Sequence, residues 1–103
     1  MSTDLLQLTA DLVAVPSESF AEGAITALIE SELRSLPHLE VTRVGDNLVA
    51  RTQLGRSQRV VLAGHSDTVP ANGNATPRID GDVLWGLGAA DMKAGLAVMC
   101  ELA

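Results

Sequence analysis

At Pro37 the hydrophobic periodicity of the chain changes, and that change decides which kind of element each half can form. Before it, apolar residues recur at helical spacing: Leu5, Leu8, Leu12 and Val15 in one stretch, then Ile25, Leu28, Ile29, Leu33 and Leu36 in a second. Ser2 or Thr3 is the expected N-cap of the first helix, and Pro16 stops it near Val15. Ser19 and Glu22 have the spacing of a capping box, with Ser19 as N-cap of the second helix, and Glu30 and Arg34 form an exposed pair on it. After Pro37 the period shortens. "LEVTRV" alternates as a half-buried strand, "NLVART" is its partner across a Gly45-Asp46 turn, and "RVVLAG" is the continuous apolar run of an interior strand. "RIDGDVLW" forms a small hairpin around Asp80-Gly81, and a last helix is expected to start close to Asp91. Helices packed on a sheet place the chain in the α/β class.

Size and charge narrow the function. At 103 residues one core is expected. Seven basic against 13 acidic residues leave a net charge of −6, which argues against a nucleic-acid or anionic-membrane partner. No apolar run approaches the ~20 residues that span a bilayer. Phe20 and Trp85 are the sole aromatics, so base-stacking platforms are lacking. A lone cysteine, Cys100, has no internal partner and suits a buried thiol in a reducing cytoplasm. Met92, Met99 and Trp85 are expected in the core, and Lys93 on a solvated helix face. "GLGAAD" lacks the third glycine of a dinucleotide fingerprint. The chain ends in an apolar helix without a cap, as expected of a piece of something longer.

The chemistry concentrates in "GHSDTVP", Gly64 to Pro70, directly after the apolar run. Strand ends in α/β sheets are where ligands bind. In an extended chain residues two apart point the same way, so Asp67 could hold one imidazole nitrogen of His65 and leave the other for a metal. A plainer reading stands beside it, in which His65 bonds to backbone and Asp67 with Thr68 merely opens a turn. Asp91 has the same two faces: an N-cap by position, or a further metal-binding carboxylate.

"LAGHSDTVP" followed some twenty residues later by "WGLGAADMKAG" resembles the M20 family of co-catalytic zinc peptidases and deacylases. "LLQLTADLVAVPSES" and "NLVARTQLGRSQRVVLAGHSDTVP" extend that resemblance over essentially the whole chain. The resemblance implies a three-layer α/β zinc-exopeptidase-like catalytic domain, with residues 1–103 as its N-terminal part, truncated before its C-terminal strands and helices. It implies two zinc ions, replaceable by cobalt, with His65 a ligand of one and Asp91 bridging both. Asp67 would orient His65, and the peptide bond after Asp91 would be cis. Leu87 stands where the family often has arginine, and Ala94 where it often has glycine; neither is a ligand position.

Within the family, the short loop from Pro70 to Pro77 and "VVLAGHSDTVP" look most like the branch that removes succinate from N-succinyl-LL-2,6-diaminopimelate. Acetylornithine deacetylase, aminoacylase and glutamate carboxypeptidase types are the alternatives, with a non-catalytic interaction module as a competitor from another class. The implied partners are a small acylated amino acid and, for the full-length protein, a second copy in a cytoplasmic homodimer. The dimerisation domain, a Glu-Glu pair, a further acidic ligand and a distant histidine are expected outside these residues, so the 103-residue piece is expected to be inactive.

Overall fold

The computed structural model describes residues 4–103. Helix α1 (Leu5–Val13) opens at Asp4, whose Oδ1 accepts hydrogen bonds from the N–H groups of Leu6 at 2.9 Å and Gln7 at 3.4 Å. The carboxylate thus satisfies two of the four donors that a helix start leaves free. Ser2 and Thr3, the expected caps, lie outside the described residues. Asp4→Ala is expected to destabilise the chain by about 1 kcal/mol in urea unfolding.

Helix α2 (Gly23–Arg34) corrects the expected capping box. Its N-cap is Glu22, and no side chain caps it. The Glu22 Oε1 accepts from the Phe20 N–H at 2.8 Å, while the Ser19 hydroxyl turns away to the Asp67 carboxylate. A hydroxyl donating to a carboxylate makes a charge-assisted bond, stronger than a neutral cap.

The helices share one core with α3 (Ala94–Leu102): Leu8 and Leu12 from α1, Ile25 and Ile29 from α2, Leu96 and Ala97 from α3. Strands β1 (Glu40–Val44) and β2 (Asn47–Arg51) form the expected hairpin, paired from Glu40 opposite Arg51 to Val44 opposite Asn47. Leu48 packs against the core. The Arg43 guanidinium ties this hairpin to α2, lying 3.0 Å from Glu30 and 3.1 Å from Asp46. Glu30 also meets Arg34, as expected, at 3.0 Å. Hydrogen bonds from Arg43 and Arg34 hold its carboxyl below the usual range.

A second hairpin joins β3 (Arg78–Asp80) to β4 (Val83–Trp85), with Gly81 and Asp82 at its turn. Trp85 is not in the core. It is 56% exposed, with the Arg78 guanidinium 5.3 Å above its ring.

"RVVLAG" departs furthest from expectation. It forms no strand, and Val60, Val61 and Leu62 are exposed. A strand is stabilised by a neighbour that takes up its N–H and C=O groups. Among the described residues no segment pairs with this one, so its N–H and C=O groups have no ladder to join. The described residues form a mixture of helices and antiparallel hairpins, with an isolated parallel bridge between Glu18 and Thr68.

Candidate metal centre

That bridge builds the site. "PSES", Pro16 to Ser19, leaves α1 and runs beside the loop that carries His65. The Thr68 N–H donates to the Ser17 carbonyl at 2.9 Å, and the Ser19 N–H donates to the Thr68 carbonyl at 3.1 Å. The buried Ser17 hydroxyl donates to the Ser66 carbonyl at 2.6 Å, and the Ala71 N–H to Glu18 Oε2 at 3.1 Å. The loop therefore keeps a defined shape although it lacks a strand ladder.

His65 is held from both sides of its ring. Nδ1 lies 3.1 Å from Asp67 Oδ1 and 3.2 Å from the Asp67 carbonyl oxygen. Nε2 lies 2.9 Å from Asp91 Oδ1. Side chains 26 positions apart in the chain thus meet directly.

Asp91 does not cap a helix. It sits in an irregular turn over Ala89–Lys93 with an extended backbone (φ −131°, ψ 94°), and α3 begins only at Ala94. The Asp91-Met92 peptide bond is cis, as the resemblance implies. Both residues that follow are anchored. The Met92 sulfur accepts from the His65 N–H at 3.3 Å, and Lys93 Nζ donates to the Val15 carbonyl at 2.9 Å.

Lys93 is the clearest correction among the individual residues. Instead of standing on a solvated face it is 2% exposed, and burial pushes its ammonium pKa down. Its ammonium reaches the carbonyl left over at the end of α1, which fixes the start of α3 against that helix. Sequence reasoning missed this anchor and the role of "PSES". A Ser-x-Ser directly after a helix-stopping proline was the available signal.

The charges around the ring set its titration. The hydrogen bond to Asp91 raises the His65 pKa, desolvation opposes it, and the Asp67 carbonyl and both carboxylate charges add to the rise. The Ser19 hydroxyl, foremost, holds the Asp67 carboxyl below its ordinary value. Protonated His65 therefore stabilises the fold below about pH 6.5, and this contribution is lost as pH rises through the raised pKa. The Asp67 contribution is present above about pH 3.9 and is lost as pH falls through the lowered pKa. In the metal-free chain, the His65 ring protons should titrate by NMR with a midpoint above about 6.5, and Asp91→Asn should bring it down. An unchanged midpoint in that variant would contradict the 2.9 Å contact.

An imidazole nitrogen facing a carboxylate, with the other nitrogen engaged from behind, is the donor chemistry that zinc takes. The count is short of a full shell: among the described residues no three His, Cys, Asp or Glu side chains cluster to hold a metal. Asp67 and Asp91 each meet His65, but at different ring nitrogens, so the three side chains do not converge on one point.

The model of the peptidase family M20/M25/M40 matches residues 61–103, the segment that carries both motifs. The chain is 50% identical over 101 residues to a putative succinyl-diaminopimelate desuccinylase of Mycobacterium tuberculosis, covering 97% of this chain and 28% of that protein. It is 46% identical over 97 residues to a succinyl-diaminopimelate desuccinylase of Corynebacterium glutamicum, covering 92% and 26% respectively. A desuccinylase of Xanthomonas campestris matches at 39% over 108 residues, covering 94% of this chain and 28% of that protein. The chain thus spans little more than a quarter of the length of these relatives. Across both motifs the chain matches the model of the peptidase family M20/M25/M40, and along nearly its whole length it is similar to succinyl-diaminopimelate desuccinylases.

Proposed function

We propose that the chain supplies part of the active site of a metal-dependent amide hydrolase that removes succinate from N-succinyl-LL-2,6-diaminopimelate, in lysine and diaminopimelate biosynthesis. The observation that carries this reading is the meeting of His65 Nε2 with Asp91 Oδ1 at 2.9 Å while Asp67 engages Nδ1. The desuccinylase names of the relatives support the substrate. In this reading His65 and Asp91 would hold the zinc, His65 as a ligand of one ion and Asp91 as a carboxylate shared with a second, and Asp67 would orient the imidazole. When bound, zinc supplies polarisation of the amide carbonyl and a water acidic enough to attack near neutral pH, and cobalt suits the same donors.

This chain's own residues do the positioning. Asp67 offers Nδ1 an acceptor, and a ring protonated there would turn its Nε2 lone pair toward Asp91 and a metal held between them. Asp91 holds its carboxylate opposite, with Met92 and Lys93 fixing the backbone on its far side. Hydrolysis adds water across the amide, breaks its C–N bond and releases succinate and the diamino-acid amine.

The full protein, in the same reading, is a cytoplasmic homodimer whose catalytic domain is three-layered α/β, with residues 1–103 its N-terminal part and a separate dimerisation domain. The exposed Val60–Leu62 segment supports a place in a wider sheet, and the greater length of the relatives leaves room for the further strands and a separate domain. By itself the 103-residue chain should hydrolyse no N-succinyl-diaminopimelate with zinc added, because two ligands fall short of the three a catalytic zinc needs. Substantial turnover by the purified chain would overturn that expectation. Zinc titration followed through the His65 ring resonances tests the site itself. Selective shifts at His65 support it, and resonances indifferent to zinc overturn it.

A further inference from the structure

Ser19 has no part in capping α2, and its hydroxyl makes the strongest side-chain contact that Asp67 receives. Ser19 Oγ donates to Asp67 Oδ2 at 2.6 Å, while Asp67 Oδ1, the other oxygen of the same carboxylate, lies 3.1 Å from His65 Nδ1. The two oxygens are thereby shared between a donor on one side and the imidazole on the other. Ser19 is itself placed from the backbone, since its N–H donates to the Thr68 carbonyl at 3.1 Å and its hydroxyl also lies 3.3 Å from that oxygen. The neighbouring bonds from Ser17 and to Glu18 keep "PSES" in register with the loop.

Resting on the reading of His65 as a metal ligand, we propose that Ser19 is a positioning residue of the site. It fixes the rotation of the Asp67 carboxylate so that Nδ1–H gains against Nε2–H in the neutral His65 ring, which opens Nε2 to a metal in competition with the Asp91 contact. An unrestrained carboxylate, 39% exposed, would turn toward water and lose its grip on the ring. Nε2–H would then gain ground, since Asp91 offers it an acceptor at 2.9 Å. Outer partners of this kind orient metal-binding histidines, and their loss weakens metal affinity by about 10- to 100-fold.

The test compares the chain with Ser19→Ala, Ser19→Thr and Ser19→Cys, using the backbone amide spectrum to confirm that each is folded. The nitrogen-15 shifts of the His65 ring, read above its titration, report the ratio of Nδ1–H to Nε2–H. Zinc affinity is measured against a chromogenic chelator. Ser19→Ala should lower the tautomer ratio several-fold and weaken zinc by about tenfold. Ser19→Thr, which keeps the hydroxyl, should restore both. Ser19→Cys keeps the shape with a weak donor and should behave like alanine, which keeps the test open if the alanine variant does not fold.

A tautomer ratio unchanged in both Ser19→Ala and Ser19→Cys overturns the proposal. If Asp67→Asn changes the ratio in the same spectra while the serine variants do not, Ser19 is dispensable and the metal-site reading stands. If zinc leaves His65 untouched in every chain, that reading fails, and the tautomer ratio still decides the role of Ser19.

Discussion

Gly88→Ala should destabilise the chain by about 3 kcal/mol, read as a lowered urea midpoint with an unchanged slope. Gly88 has φ +78°, where an alanine carries a penalty of roughly 1–2 kcal/mol. A Cβ there would also lie 2.7 Å from Thr68 Cγ2. Thr68 cannot step aside, because it is buried and its N–H and carbonyl are both bonded to "PSES". Crowding of that kind adds roughly 1–3 kcal/mol. Gly81→Ala is the control: φ there is +60°, with nothing within 4 Å of the added carbon. It should show the backbone penalty alone. Equal losses in the two variants would mean that the Gly88–Thr68 approach does not constrain the turn leading to Asp91.

Under the proposed function, His65→Ala and Asp91→Ala should each weaken zinc binding by more than the roughly 100-fold at the upper end for outer partners, with Asp67→Ala between them and the parent chain. The order matters more than any single value. Removing His65 or Asp91 deletes a donor, whereas removing Asp67 leaves both donors present and one ring loosely held. Competition against a chelator at fixed pH measures all three. An Asp67→Ala chain weaker than Asp91→Ala would overturn the assignment of Asp91 as the metal-binding carboxylate. Because the ligands bind metal only when deprotonated, zinc affinity should rise with pH through the His65 titration.

The parts of the fold that were legible in the sequence are those set by near neighbours. Leu8, Leu12, Ile25 and Ile29 announced two helices through their spacing, and the alternation about Gly45-Asp46 announced the first hairpin. Strand status at Val60–Leu62 depends on a pairing partner, and composition cannot report whether one is at hand. The meeting of His65 with Asp67 and with Asp91 was legible because two motifs at a set spacing name these residues, and their polar atoms do lie within hydrogen-bond reach. Ser19 and Lys93 were misread because local rules, a capping spacing and a charged residue in a helix, gave plausible exposed roles. Their real partners, Asp67 and the Val15 carbonyl, lie 48 and 78 positions away. Long-range contacts of that kind leave no local periodicity to read.

Lys93 is also the chain's only lysine. With its amine enclosed against the end of α1, the molecule offers no accessible lysine to acylating reagents while the α1–α3 contact is closed. Side-chain acylation therefore becomes a clock for opening. The rate at which Lys93 takes up an amine-reactive label reports how often the core parts at the element that carries Asp91, without any probe having to be built in.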